Sequence, residues 1–224
     1  KRALLVALQV FWLAAASMAQ TPPSRIEAAA YSGLHKAAFH GDVKSIEELV
    51  ASGADIESRD EAQRTPLHVA AFASQDDVVR TLAEAGANLN ALEYQAYDIV
   101  TIAAVANDLE LLELALSLGA SARNVTSPYD GTALIAAAHL GHYEVVRRLI
   151  DGGAPLDHIN NLEWTALMEA VVLGDGGEDH VKIARALVEA GADRNIPDGQ
   201  GITPLEHSRA RGYSQMTVVL EASR

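Results

Sequence analysis

Histidine and carboxylate side chains are the groups of this sequence that could act as metal ligands or as acids and bases. The densest group is Asp175, Glu178, Asp179 and His180, which together could hold a cation. A calcium loop needs a defined run of oxygen ligands, which this segment lacks. A solvated acidic insertion at 174–180 is therefore the favoured interpretation, and a metal site or an enzymatic site there is the alternative.

The other candidates for chemistry are dispersed along the chain. Zinc needs ligands that converge, and no two histidines are placed four residues apart on one predicted helix; those outside the insertion include His40, His139, His158 and His207. Carboxylate pairs such as Glu47-Glu48 and Asp76-Asp77 are expected on exposed helix faces. The chain has no cysteine and none of the common nucleophile-elbow, zinc-protease, P-loop or dinucleotide-binding motifs. We therefore expect no enzyme activity, no cofactor and no catalytic or metal-binding residue.

Composition limits the remaining classes of protein. The 224 residues are 49% hydrophobic and 21% charged, which suits a chain that folds around a sizeable core. The formal net charge of −13 would repel phosphate backbones, which argues against a nucleic-acid partner.

The first residues have the layout of a secretory signal. Lys1 and Arg2 precede an apolar run from Ala3 to Ala16, and Ser17-Met18-Ala19 supplies small residues for a signal peptidase. We expect residues 1–19 to be a signal peptide cleaved after Ala19, with an uncleaved N-terminal anchor as the alternative. Residues 20–30 are predicted to be a lead-in, in which Ser24 and Glu27 form a capping box that starts a short helix.

The rest of the chain repeats with a period near 33 residues. Gly-Ala pairs recur in steps of 33, 33, 34 and 38 residues, at Gly53-Ala54, Gly86-Ala87, Gly119-Ala120, Gly153-Ala154 and Gly191-Ala192. A second marker keeps the same spacing, at Ser32-Gly33-Leu34-His35, Thr65-Pro66-Leu67-His68, Thr132-Ala133-Leu134, Thr165-Ala166-Leu167 and Thr203-Pro204-Leu205. Asp98-Ile99-Val100 is a degenerate copy of this marker.

Each copy has the features of two short helices. The Ser, Thr or Asp that opens the marker can cap the first helix, and a proline can follow it at the first helical position. The second helix has an apolar stripe, as in Val78, Val79, Leu82 and Ala83. The glycine of each Gly-Ala pair then suits a left-handed C-terminal cap. One copy cannot bury its stripe alone, so the copies must stack.

A 33-residue period with this marker resembles the ankyrin repeat. The resemblance covers residues 31–224 and implies an all-α solenoid of six helix-turn-helix units with short β-turn fingers. The predicted units are 31–64, 65–97, 98–131, 132–164, 165–202 and 203–224. The resemblance also implies that His35 and His68 bond to neighbouring backbone.

The resemblance further implies that a partner binds the concave side, which is built from turn tips and outward positions of the first helices. The residues predicted to contact it are Phe39, Phe72, Tyr94, Tyr97, Tyr129, His139, Leu162 and Trp164, and the tips also carry Val125 and Ile159. Alternatively, Phe39, Phe72 and Val105 pack between adjacent repeats.

The function expected from this resemblance is an exported scaffold that binds another protein, in the manner of bacterial periplasmic ankyrin proteins. We expect a periplasmic or secreted location and no membrane association after signal removal. A self-associating structural subunit is the other main possibility.

Overall fold

The computed structural model describes residues 20–222, which contain thirteen helices. The lead-in helix α1 (Arg25–Ala30) precedes six helix pairs: α2 (Gly33–His40) with α3 (Val43–Ala51), α4 (Pro66–Phe72) with α5 (Asp76–Glu84), α6 (Ile99–Ala106) with α7 (Leu109–Ser117), α8 (Ala133–Leu140) with α9 (Tyr143–Asp151), α10 (Ala166–Val172) with α11 (Glu178–Ala190), and α12 (Pro204–Ala210) with α13 (Ser214–Glu221). One pair falls in each predicted unit, so the fold is the predicted all-helical solenoid. The predicted signal peptide and its cleavage after Ala19 lie outside the described residues.

None of the helices between residues 20 and 222 combines the length and the apolar character that a membrane span requires.

Side-chain caps start most of the first helices. The Thr65 hydroxyl accepts a hydrogen bond from the His68 N–H, and equivalent caps are made by Asp98, Thr132, Thr165 and Thr203. These bonds satisfy N–H groups that have no partner inside the helix. Ser32 makes no side-chain cap, so the prediction is wrong at that one position. The predicted capping box of Ser24 and Glu27 is present at α1.

The second helices bury the predicted apolar stripes. Val78, Val79 and Leu82 of α5 are fully buried, as are the matching residues of α7, α9 and α11, whereas Ala83 is half-buried. Each of the first five of these helices is followed by a glycine with positive φ, at Gly53, Gly86, Gly119, Gly153 and Gly191. Residues with a side chain rarely adopt this conformation, which confirms the predicted role of the Gly-Ala pairs.

The helices stack in two layers around one continuous core. Each first helix packs on the next first helix, from α2 through α12, and each second helix packs on the next second helix, from α3 through α13. The core runs without a break from Leu34 to Leu220. Alanines between the layers, such as Ala70 and Ala137, allow the helices to approach closely.

Five irregular connections join the units, and we call them fingers 1 to 5. They comprise residues 55–64, 88–97, 121–131, 155–164 and 193–202. Neighbouring fingers are joined by backbone hydrogen bonds: the N–H groups of Tyr94, Ser127 and Asn161 donate to the carbonyls of Ala62, Ala96 and Tyr129. Fingers 1 to 4 are therefore held in register as one row, which we call the finger row.

Candidate protein-interaction surface

Each finger is closed by one side chain that accepts hydrogen bonds from two backbone N–H groups of its own turn. In finger 4, Asn160 Oδ1 lies 3.0 Å from the nitrogens of both Leu162 and Trp164. The acceptors in fingers 1 to 5 are, in order, Asp60, Glu93, Ser127, Asn160 and Asp198. These bonds fix the turns and therefore the positions of the side chains at their tips.

Finger 1 contains a buried ionic cluster. Arg64 is only 1% exposed, and its Nε donates to Asp60 Oδ2 over 2.7 Å. Its Nη2 pairs with Glu27 of α1, and the Tyr31 hydroxyl donates to Asp60 over 2.6 Å. Burial works to raise the pKa of Asp60, but the hydrogen bonds from Tyr31 and Arg64 outweigh it and hold that pKa below its usual value. The cluster fastens the lead-in helix to finger 1.

A second buried carboxylate lies in the C-terminal half. Glu169 of α10 is fully buried, its Oε1 accepts from Asn160 Nδ2 over 3.1 Å, and its Oε2 lies 3.1 Å from His139 Nδ1. This network ties together a finger and two first helices. In finger 5, His207 Nε2 similarly lies 2.7 Å from Asp198 Oδ2.

The two marker histidines bond to neighbouring backbone, as the resemblance implied. His35 Nε2 lies 2.9 Å from the Arg64 carbonyl, and His68 Nε2 lies 2.9 Å from the Ala91 carbonyl. Burial lowers the pKa of His68 to about 4, so this imidazole is neutral at physiological pH. Both histidines therefore join one unit to the next finger.

One predicted contact residue is buried. Tyr97 is 2% exposed and belongs to the hydrophobic core, so its expected place on a binding surface is wrong. It occupies the position in finger 2 that Arg64 occupies in finger 1, where the side chain points inward beneath the turn. Burial also raises the pKa of the Tyr97 hydroxyl to about 12.

The other predicted contact residues differ in exposure. Phe39 and Phe72 are half-buried and pack against the core, as does one face of Tyr31 beside Phe39. The contacts shown are with the core and, for Phe39, with Tyr31 and His40, so packing between adjacent repeats stays a prediction for these residues. Tyr94, 66% exposed, and Leu162 lie on the surface of the finger row, whereas Tyr129, His139 and Trp164 are half-buried.

A shallow groove of about 260 Å³ lies between units 3 and 4. Tyr129 of finger 3 and His139 of α8 form part of its wall, together with Val105, Ile135 and Leu140. Tyr97 also lines this groove, so the structure brings three of the predicted contact residues to one apolar depression.

Sequence reasoning missed Leu92, an exposed residue of finger 2. Leu92, Val125 and Ile159 each lie six residues after the glycine of the preceding Gly-Ala pair, an equivalence that aligning the fingers on those pairs would have revealed. The buried roles of Arg64 and Glu169 were also missed, although a charged residue among apolar neighbours was a usable signal.

The insertion in unit 5 lies between α10 and α11. Its base is held between units, since the Tyr213 hydroxyl donates to the Gly174 carbonyl over 3.2 Å and His180 Nε2 lies 3.2 Å from the His139 carbonyl. Asp175 points into solvent beside His180. Within residues 20–222, no group of three His, Asp or Glu side chains is placed to hold a metal ion.

Comparisons with known proteins agree with this architecture. A family model for ankyrin repeats matches residues 12–93 and 100–198. The ankyrin repeat protein YahD of Escherichia coli K12 is 32% identical over 188 residues, which cover 84% of this chain and 93% of YahD.

Two solved structures share the fold. An ankyrin repeat domain from Acinetobacter baumannii is 41% identical, with a TM-score of 0.79 over 84% of this chain and 95% of that domain. The ankyrin repeat protein EF0377 is 28% identical, with a TM-score of 0.77 over 87% of this chain and 100% of that protein. The chain therefore belongs to the ankyrin repeat family.

Proposed function

We propose that this chain is a non-enzymatic scaffold that binds another protein through its finger row and the adjoining surface of its first helices. One observation carries the proposal. Six of the eight large apolar side chains that are exposed within residues 20–222 lie on this side of the molecule: Leu92, Tyr94, Val125, Leu140, Ile159 and Leu162. Clustered apolar exposure of this kind usually marks a contact surface.

The rigidity of the finger row supports a binding role. Because turn acceptors and backbone bonds between fingers fix the tips, little conformational entropy is lost when a partner binds. Tyr94 adds an exposed aromatic side chain, a residue type that often dominates binding energy.

We also propose that the chain is exported to the periplasm or secreted. The basic start, the apolar run and the small residues at Ser17 and Ala19 support a signal that is cleaved. Mass analysis of the N-terminus of protein recovered from the exported fraction tests this. A product that begins at Gln20 is expected, and a membrane-bound product that retains Lys1 would contradict it.

Binding is tested by affinity capture from the exported fraction with two double variants. Tyr94→Ser with Leu162→Ser removes exposed apolar groups from the finger row. Ile26→Ser with Val218→Ser removes exposed apolar groups elsewhere and is the matched control, since all four residues are exposed.

We expect the wild type and the control to retain the same partner and the finger variant to lose it, with the thermal midpoint of each close to wild type. Equal capture by both variants would contradict the proposed surface. Loss of a homodimer by the finger variant in sedimentation experiments would instead identify a self-associating subunit.

A further inference from the structure

Three exposed apolar side chains lie one in each of fingers 2, 3 and 4. Leu92, Val125 and Ile159 are 38%, 49% and 49% exposed and occupy equivalent positions in their fingers. Arg59 and Pro197 occupy the same position in fingers 1 and 5, so the stripe ends at both sides. We call Leu92, Val125 and Ile159 the apolar stripe.

The spacing of the apolar stripe is set by the stack. Packed helices lie about 8–10 Å apart, so neighbouring side chains of the stripe are about 10 Å apart. The hydrogen bonds from the N–H groups of Ser127 and Asn161 to the preceding fingers fix this spacing. The stripe therefore presents three contact points along about 20 Å.

The fingers around the stripe are strongly acidic. Fingers 1 to 5 together contain ten Asp and Glu residues but four Arg and no Lys. Arg64 is buried in its ionic cluster, and Arg59 Nη1 donates to the carbonyls of Gln63 and Leu92 over 2.7 Å. The Nη1 atoms of Arg123 and Arg194 also donate to backbone carbonyls.

Several exposed carboxylates of the finger row make no ion pair within residues 20–222, and Glu61, Asp130 and Glu163 are among them. These three belong to fingers 1, 3 and 4 and therefore flank the stripe. Such a field attracts positive charge and repels an acidic segment.

We propose that the apolar stripe binds an extended segment of the partner protein in which apolar side chains recur every third residue and Lys or Arg residues lie between them. This inference rests on the proposed protein-binding function and specifies its partner. A polyproline II segment has three residues per turn and rises about 3.1 Å per residue, so every third side chain is about 9 Å from the next. That repeat matches the stripe, and the intervening cations match the carboxylates beside it.

The probe is a labelled peptide of repeated Leu-Pro-Lys triplets, titrated into the purified protein by fluorescence anisotropy. Repeated Leu-Pro-Glu triplets reverse its charge, and repeated Ser-Pro-Lys triplets remove its apolar groups. We expect Leu-Pro-Lys to bind at least tenfold more tightly than either control and to weaken as salt is added. Equal binding of the Leu-Pro-Glu peptide would overturn the charge assignment.

Two sets of substitutions locate the site. Leu92→Ser, Val125→Ser and Ile159→Ser together should weaken Leu-Pro-Lys binding at least tenfold, whereas Ile26→Ser with Val218→Ser should leave it unchanged. Glu61→Gln, Asp130→Asn and Glu163→Gln together should weaken binding and flatten its salt dependence. The control for charge is Glu47→Gln with Glu48→Gln, on the exposed side of α3. If neither the stripe substitutions nor the carboxylate substitutions change the affinity for the Leu-Pro-Lys peptide, the proposed site is wrong.

The occupant and the proposed function can fail separately. If stripe variants lose the captured partner but no Leu-Pro-Lys peptide binds, the scaffold function stands and the proposed occupant is wrong. If stripe and finger variants all keep the captured partner, both proposals fail. A dimer that the stripe variants abolish would show a second copy of this chain as the occupant and would overturn the extended cationic segment.

Discussion

Fingers 1 and 2 have a carboxylate at the same position, but the pKa of that carboxylate is shifted in opposite directions in the two fingers. In finger 1 the Asp60 carboxylate contacts Arg64, and its pKa is lowered. In finger 2 the Glu93 carboxylate accepts two backbone N–H groups, but Tyr97 stands where the arginine would be. Burial therefore raises the pKa of Glu93, despite its hydrogen bonds to the N–H groups of Tyr97 and Gln95.

The difference shows how one turn can be built with two kinds of inward side chain. Arg64 supplies a permanent charge that also reaches Glu27 in the lead-in helix, so finger 1 is joined to the N-terminal cap by ion pairs. Tyr97 supplies apolar packing to the core instead. The buried charge of Glu93 in finger 2 is therefore electrostatically unfavourable, whereas the charge of Asp60 in finger 1 is stabilised by Arg64.

The largest expected effect comes from removing the arginine. Arg64→Met leaves Asp60 buried without its cation and detaches Glu27, which should lower the free energy of unfolding by about 3–5 kcal/mol. Urea unfolding followed by circular dichroism measures this. Arg59→Met is the control, because Arg59 is exposed and should change stability by less than about 1 kcal/mol. If Arg64→Met and Arg59→Met lowered the free energy of unfolding equally, the buried ion pairs of Arg64 would contribute no more to stability than an exposed arginine does.

The two equivalent carboxylates should respond with different signs to neutralisation. Asp60→Asn removes a charge that Arg64 needs and should cost about 1–3 kcal/mol at neutral pH. Glu93→Gln keeps an oxygen for the two N–H groups and removes a buried charge that makes no ion pair with any residue between 20 and 222, so stability should stay level or rise. The urea midpoints of the two variants test this difference, and equal destabilisation by Asp60→Asn and Glu93→Gln would contradict it.

The fold could be predicted from the sequence because its signals are local and repeated. Gly119 marks a left-handed cap, Thr132 marks a helix start, and Val145 with Leu149 marks a buried stripe, each within a few residues of sequence. The exposure of Tyr97 could not be predicted in this way. Whether a finger residue points inward depends on the turn and on the neighbouring finger, and no short pattern around Tyr97 records either.

The candidate surface was predictable only in part for the same reason. Tyr94 and Leu162 are exposed, as their predicted place at the turn tips suggested. Leu92 is recognised as part of the apolar stripe only when the fingers are aligned. Arg64 forms its cluster with Glu27 and Thr21, residues that are distant in sequence and belong to the lead-in. Contacts of that range follow from how the chain folds back, which the repeat pattern does not specify.

The pH dependence of the same pair should separate the two fingers further. The contribution of Asp60, whose pKa is lowered by folding, is present above the unfolded value near 3.9 and is lost as the pH falls through the folded value. For Glu93, whose pKa is raised, the ionised form opposes folding, so the advantage of Glu93→Gln over wild type should grow as the pH rises from about 4 towards neutrality. Unfolding free energies measured across this range test both signs, and parallel curves for wild type and Glu93→Gln would contradict the assignment.

The smallest expected effect concerns Asp76 and Asp77, neighbouring carboxylates at the start of α5. Asp76 Oδ1 is buried without a hydrogen-bond partner within the described chain, and burial, followed by Asp108 and Glu110, raises the pKa of Asp76. Asp77 is exposed.

Both carboxylates interact favourably with the helix N-terminus, so each Asn substitution loses that interaction. Asp76→Asn also removes a charge that burial disfavours. At neutral pH, Asp76→Asn should therefore be more stable than Asp77→Asn, by less than about 1 kcal/mol because water still screens most of this carboxylate. The gap should close as the pH falls and Asp76 is protonated in the folded protein. A gap that persists in acid would show that packing, and not charge, separates the two positions. Asp76 would then not be a second example of the electrostatic cost that Glu93 illustrates.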